Sequence, residues 1–390
     1  MNASLWLLAA CQGLYLTNNV TFIAINGLVG LALAPLGWMA TLPVMGYVVG
    51  GALSTGVVAR TQQRWGRQRS FQAGLLVAAA SALLCAYAAA SRNFWLLCAA
   101  TVLAGYYNAN AGLYRFAAAE LAGPQARDKA VSLVMAGGLL GAVVGPNLAA
   151  GTRDLLPVPF AGAYLALAVV AVVSMLLMAR LRFPPAATAA QRAAGRPLAQ
   201  IMREPTFIVA AAAGALSYGV MNLLMAATPI AMQQCGLPFA DAALVLQWHV
   251  IGMFAPGFVT GHLIQRFGAL RVMGVGVLLY AGCIAFALSG QDLHQFLGAL
   301  FLLGVGWNFL FTGSTTLSLS TYRPEEKDKA QAALNFFVMA TLAVSSFGSG
   351  VLVTTQGWNW LNWGSVVPLA AMALALAWLG LHRRRAARVA

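Results

Sequence analysis

The sequence predicts an all-α membrane protein, with twelve transmembrane helices in two pseudo-symmetric six-helix bundles, and three observations support this prediction. Of the 390 residues, 61% are hydrophobic and only 8% are charged, a balance that soluble domains do not show. Apolar runs of about 20 residues, the length that crosses a bilayer as a helix, recur along the whole chain. Short motifs in the first half recur in the second half at nearly one fixed spacing.

Twelve apolar segments are the candidate transmembrane helices. They are residues 5–27, 36–59, 72–91, 94–114, 130–151, 159–179, 207–231, 242–264, 271–289, 294–318, 331–354 and 364–381. The first segment lacks a basic region followed by a small-residue cleavage site, so we expect a retained span and not a signal peptide. Residues 180–205, rich in Arg, Ala and Pro, predict a cytoplasmic linker between a first bundle at 1–179 and a second at 206–390.

The net charge of +14 is distributed as membrane topology requires, and not as nucleic-acid binding would require. Of the 23 basic residues, only Arg92 and Arg153 fall on the side opposite to the loops that follow the second and sixth spans. The positive-inside rule therefore predicts that both termini are cytoplasmic, and we expect a multi-pass protein of a bacterial inner membrane.

The two halves of the chain share three short correspondences. Arg64-Trp-Gly66 matches Arg266-Phe-Gly268, Asp128-Lys129-Ala130 matches Asp328-Lys329-Ala330, and Asn108 matches Asn308. The offsets are 202, 200 and 200 residues. Three matches at nearly one spacing indicate a duplicated six-helix unit.

The segments 63–69 and 261–268 resemble the loop motif of the major facilitator superfamily, once in each half. The acidic residue usual in that motif is Gln63 here and Gln265 in the repeat. The resemblance implies the major facilitator fold and a transporter. We expect no enzyme activity, because the sequence has no phosphate loop, nucleophile elbow or zinc-protease motif. Gly141 and Gly145, with the proline that follows, resemble the glycine-proline motif of antiporter branches, although close helix packing is the alternative.

Two pairs of soft metal donors occur on consecutive spans, Met221 and Met225 on the seventh and His249 and Met253 on the eighth. Residues four apart share one face of a helix. If the hairpin between the spans turns near Leu237, the pairs also lie at matching depths, which would stack the four donors in two layers. Thioether and imidazole together suit a soft metal such as Cu(I). The alternatives are helix packing for the methionines and a hydrogen bond to a neighbouring helix for His249.

Those four residues resemble the signature of the CcoA-like copper importers within the superfamily. The resemblance implies a transporter that imports the copper ion as its substrate, has no prosthetic group and supplies cbb-type cytochrome oxidase assembly. Cys235, at the outer end of the seventh span, is a possible accessory ligand. We expect a monomer in the lipid bilayer, a possible cytoplasmic copper acceptor and no nucleic-acid partner. Riboflavin importers resemble this branch closely, and a membrane copper sensor or binding protein is a more remote alternative.

Polar and aromatic residues in other spans are candidates for the lining of a central cavity. They are Asn18, Asn19, Asn108, Asn308, Tyr107 and Trp307. The asparagines have an alternative role in hydrogen bonds between helices, whereas the aromatic rings are suited to stack on a flat organic solute. All nine acidic residues fall at span ends or in loops, so either His249 couples protons or transport is uncoupled.

Overall fold

The computed structural model describes residues 3–36, 39, 42–184 and 195–389, and nearly all of these residues are helical. The first helices are α1 (Ala3–Leu33), α2 (Leu42–Ala90), α3 (Phe94–Ala111), α4 (Tyr114–Ala122), α5 (Arg127–Ala136), α6 (Gly138–Thr152) and α7 (Ala161–Ala179). They are followed by α8 (Leu198–Met202), α9 (Pro205–Gln234), α10 (Phe239–Phe254), α11 (Gly257–Phe267), α12 (Ala269–Ser289), α13 (Leu293–Ser318), α14 (Lys327–Thr355) and α15 (Gly357–Val389).

Within the described residues, nine helical segments are long and apolar enough to cross a membrane. At 1.5 Å per residue, the 49 residues of α2 extend over about 73 Å, which is enough for two crossings of a bilayer core of about 30 Å. The helix α1 covers the predicted first span, and α3 covers the predicted fourth span as far as Ala111.

The helix differs from the predicted second span at both ends. Leu36 lies before the helix, which begins at Leu42, and the helix continues past residue 59 through the expected loop. The chain bends inside α2 at Gly66, where φ is 78° and ψ is 172°. Gly268 has φ 84° and ψ 150° between α11 and α12. Since L-residues with a side chain rarely adopt positive φ, the repeated motif is a repeated glycine bend.

Three predicted spans are interrupted where the sequence predicted continuous helices. The segment 94–114 divides at Gly112 and Leu113, and 130–151 divides at Gly137. The segment 242–264 divides at Ala255 and Pro256. Pro256 has no backbone N–H to continue the helical ladder, which accounts for the end of α10.

Close packing of α1 against α6 explains the glycines of the predicted glycine-proline motif. A Cβ on Gly141 would lie 2.6 Å from the backbone nitrogen of Thr17, and one on Gly145 would lie 3.3 Å from the Thr17 carbonyl oxygen. The absence of side chains at these positions therefore allows the two helix backbones to approach each other.

The chain folds into two compact units. The first contains Met1–Ala126, Leu133–Ala189 and Gln331–Met339, and the second contains Arg127–Ser132, Ala190–Ala330 and Ala340–Ala390. In the second unit, the described end of the predicted linker is fixed by Arg196. Its guanidinium forms two hydrogen bonds with the carboxylate of Glu326, at 2.8 and 2.7 Å. It also pairs with Glu204 and donates to the carbonyl oxygen of Thr321 at 3.0 Å.

Candidate functional site

His249 is fully buried in α10, and its ring faces α13. Its Nδ1 lies 2.7 Å from the backbone carbonyl oxygen of Leu300. A carbonyl oxygen can only accept, so Nδ1 carries the proton and Nε2 carries the lone pair. Within the described part of the chain, Nε2 is buried and has no hydrogen-bond partner. The predicted hydrogen bond to a neighbouring helix thus occupies one ring nitrogen, and the other remains free to accept a hydrogen bond or bind a cation.

A close contact between α10 and α13 holds His249 in this position. A Cβ on Gly304 would collide with the carbonyl oxygen of His249 and lie 2.9 Å from the backbone nitrogen of Met253. One turn further along α13, the side-chain amide of Asn308 donates to the carbonyl oxygen of Met253 at 2.6 Å. Its oxygen accepts from the hydroxyl of Thr260 at 2.7 Å. Asn308, predicted to line a cavity, is therefore used in bonds between helices.

The predicted methionine donors lie on α9 and α10 in the same unit. Met221 is 2% exposed and Met253 is 6% exposed, while Met225 is half-buried. The ring of Tyr218 on α9 lies 5.4 Å from that of Trp307 on α13. Because α9 runs antiparallel to α13, Met221, one turn beyond Tyr218, comes level with the turn of α13 that contacts His249. The four-donor metal site remains a prediction.

Four aromatic rings meet where α9, α10 and α13 pack together. Trp307 stacks on Phe311 with 4.8 Å between centroids and 16° between planes. Phe254 lies 5.8 Å from Trp307, and Tyr218 lies edge-on to both Trp307 and Phe311. The indole Nε1–H of Trp307 is buried and has no hydrogen-bond partner among the described residues. The arrangement is a packed cluster of flat aromatic rings that contains an unpaired donor.

The asparagines predicted for α1 are buried or half-buried in the first unit. Asn18 is 5% exposed. The Nδ2 of Asn19 donates to the hydroxyl of Tyr47 at 3.0 Å. Asn19 therefore links α1 to α2, which is the alternative role that the sequence left open for it.

Tyr15, which sequence reasoning missed, gathers two predicted residues of α3 in the first unit. Its hydroxyl donates to the Oδ1 of Asn108 at 2.5 Å, and its ring lies 5.6 Å from that of Tyr107, edge to face. Both Asn108 and Tyr107 are 2% exposed. In the sequence, Tyr15 is one aromatic residue within an apolar run, and no motif distinguishes it.

Cys235 follows the end of α9 and is exposed. Its thiol donates to the Oε1 of Gln291 at 3.2 Å. Partial burial, followed by the nearby charge of Asp292, raises the pKa of the thiol. Cys235 follows Met225 by ten positions, which correspond to about 15 Å of helix rise, so Cys235 lies too far away to ligate an ion held beside the methionines.

Comparisons with known proteins place these features in a family. The chain matches the Major Facilitator Superfamily profile over residues 5–247 and 210–390. It is 39% identical over 384 residues to the riboflavin transporter RfnT of Brucella anthropi, covering 98% of this chain and 96% of that protein. It is 30% identical to the uncharacterized MFS-type transporter YdeG of Bacillus subtilis, covering 80% of this chain and 77% of that one.

Two solved structures have the same fold. FucP, a superfamily transporter in the outward conformation, aligns with a TM-score of 0.75 at 16% identity, over 96% of this chain and 97% of that chain. A bacterial homologue of the iron transporter ferroportin, in an outward-facing state, aligns with a TM-score of 0.74 at 14% identity, over 96% and 99%. The predicted fold class, an all-α membrane protein with the major facilitator fold, is confirmed.

Proposed function

This chain belongs to the major facilitator superfamily of membrane transporters, and we propose that it imports riboflavin across a bacterial inner membrane by alternating access. The observation that carries the proposal is the 39% identity to a riboflavin transporter over nearly the full length of both chains. The distribution of basic residues supports a topology in which both termini are cytoplasmic. Superfamily transporters are not enzymes, and we propose no catalytic activity.

The chemistry of the second unit suits a neutral solute with a flat ring system. Riboflavin consists of a fused aromatic ring with carbonyl groups and a polyhydroxyl ribityl chain. The rings of Tyr218, Phe254, Trp307 and Phe311 provide apolar faces for stacking. The described parts of α9, α10 and α13 carry no Lys or Arg, and their one carboxylate, Asp241, lies in the first turn of α10. A charged organic solute would need an oppositely charged side chain, which the described parts of these helices do not offer near the rings.

Copper import, predicted from Met221, Met225, His249 and Met253, is the second candidate. It is favoured by the free lone pair of His249 Nε2, since a ligating imidazole must present an unprotonated nitrogen. None of the relatives reported above is named for copper, so we rank copper import behind riboflavin import.

The two candidates are separated by measuring both substrates with and without the protein. We expect growth of a riboflavin auxotroph on low riboflavin, and no gain of cellular copper or oxidase activity in a copper-import mutant. A Met221→Leu variant is the matched control, because Leu preserves the apolar volume but removes the thioether. It should retain riboflavin uptake. The ranking would be reversed if the wild-type protein raised cellular copper, Met221→Leu abolished that gain, and the riboflavin auxotroph did not grow.

A further inference from the structure

We propose that Trp307 and His249 are the hydrogen-bonding residues with which the second unit recognises a flavin. Trp307 would donate to a ring carbonyl through Nε1, and His249 would accept from a ribityl hydroxyl through Nε2. The inference rests on the proposed function and assigns to each residue one part of the solute.

The two side chains are candidates because each has a buried polar atom without a partner among the described residues, a property that Gln295, Thr312, Thr316 and Asn362 of the same unit share. Trp307 is 2% exposed and His249 is 0% exposed, and neither Nε1 nor Nε2 is hydrogen-bonded within the residues that the structure describes. Buried polar atoms are normally paired, because an unpaired one loses its water without replacement. One atom is a donor and the other an acceptor, so a neutral solute with both kinds of group would satisfy the pair.

The depths of the two atoms decide which part of the solute each contacts. His249 contacts α13 at Leu300, and Trp307 follows seven residues later, which corresponds to about 10 Å along the axis. The helices α10 and α13 run in the same direction, so both side chains lean toward the same end and the separation is retained. Neighbouring groups on one edge of the flavin ring are too close together to reach both residues. A ring carbonyl and the ribityl chain that extends from the ring can reach both.

The aromatic neighbours of Trp307 supply the stacking surface. Phe254 and Phe311 are 2% and 3% exposed, whereas Tyr218 is half-buried and lies edge-on to the indole at 5.4 Å. Tyr218 is therefore the ring of this cluster that is most accessible to a solute.

A second buried tryptophan provides a matched control. Trp358 on α15 is 4% exposed, but its Nε1 donates to the carbonyl oxygen of Ala287 at 3.3 Å. Trp358→Phe thus removes a satisfied hydrogen bond, while Trp307→Phe removes an unpaired donor and keeps a ring. Both substitutions leave a cavity of similar size, so Trp358→Phe should lower the melting temperature more than Trp307→Phe, and only Trp307→Phe should change flavin binding.

The test measures binding of riboflavin and of lumiflavin, which has a methyl group in place of the ribityl chain, to the purified full-length protein. Trp307→Phe should weaken both flavins by a similar factor, between about twofold and about tenfold, the size of one buried hydrogen bond. His249→Phe should weaken riboflavin by a factor in the same range and leave lumiflavin unchanged. His249→Gln retains an acceptor and should recover most riboflavin affinity.

Two outcomes would overturn the assignment while leaving riboflavin import intact. One is wild-type affinity of Trp307→Phe for both flavins. Another is an equal loss of riboflavin and lumiflavin affinity in His249→Phe, or in His249→Gln if the Phe variant does not fold. If the wild-type protein neither binds nor transports riboflavin, the proposed function itself fails, and the two failures are thus distinguishable.

Discussion

Replacing Arg196 with Met should lower the free energy of unfolding of the second unit by about 3 kcal/mol. The guanidinium makes two charge-assisted bonds to Glu326, whose side chain is 0% exposed, and each such bond contributes about 1.5–3 kcal/mol. Two backbone N–H groups, those of Arg196 and Arg323, would still hold the carboxylate, so the lower end of the sum applies. At about 2–4 °C for each kcal/mol, the melting temperature should fall by about 6–12 °C.

The assay is thermal unfolding of the purified protein, with Arg203→Met as the matched control. Arg203 is an exposed arginine of the same linker, and its replacement should change the melting temperature by no more than about 2 °C. Hydrogen bonding to Glu326 raises the pKa of Arg196, so the guanidinium stays charged at any workable pH. Adding Glu326→Gln to Arg196→Met should recover part of the loss, because no buried charge is then stranded. Equal melting temperatures for Arg196→Met and Arg203→Met would refute this reasoning.

Two further predictions concern a helix contact and a thiol. Gly304→Ala should reduce flavin binding and lower the free energy of unfolding by about 1–3 kcal/mol, since its Cβ would collide with the His249 carbonyl oxygen. A Cβ on Gly274 would have open space around it. The control Gly274→Ala should therefore neither weaken flavin binding nor lower the melting temperature. Cys235 has a raised pKa, so less thiolate is present at neutral pH and its rate of maleimide labelling should rise steadily as the pH increases. Asp292→Asn removes a cause of that raised pKa and should speed labelling at neutral pH; an unchanged rate would contradict the role of Asp292.

The glycine bends illustrate how far the sequence predicts the fold. The repeated motif around Gly66 and Gly268 predicted a duplication, and both glycines adopt positive φ. The break at Gly137 was not predicted, because no local signal separates this glycine from the others of a chain that has 40. Unlike Gly66 and Gly268, Gly137 also keeps a helical φ, of −53°. That break accompanies a close approach to the carbonyl oxygen of Ala9, a contact between helices remote in sequence.

The candidate site was predictable in residue type but not in hydrogen bonding. The ionisable ring of His249 in the eighth span is visible in the sequence as an unusual residue for a bilayer, and Trp307 in the tenth is visible as a ring suited to stacking. The partner of His249 is a backbone carbonyl, that of Leu300, and every residue has such a group. The bond also depends on the small volume of Gly304. Residue identities alone therefore do not reveal which ring nitrogen stays free.

The duplication supplies an internal comparison that favours a binding role for the unpaired atoms. Trp307 corresponds to Tyr107 at the offset of 200, and His249 to Tyr47 at the offset of 202. In the first unit both polar groups are engaged, since the Tyr47 hydroxyl accepts from Asn19 and Tyr107 is hydrogen-bonded to a neighbouring tyrosine hydroxyl. In the second unit, one nitrogen of each corresponding residue is buried without a partner among the described residues. The same helical framework can thus satisfy polar side chains at these positions. The unpaired nitrogens of Trp307 and His249 are therefore a property of the second unit's sequence and not of the fold. This pattern is expected where a solute supplies the missing hydrogen-bond partners.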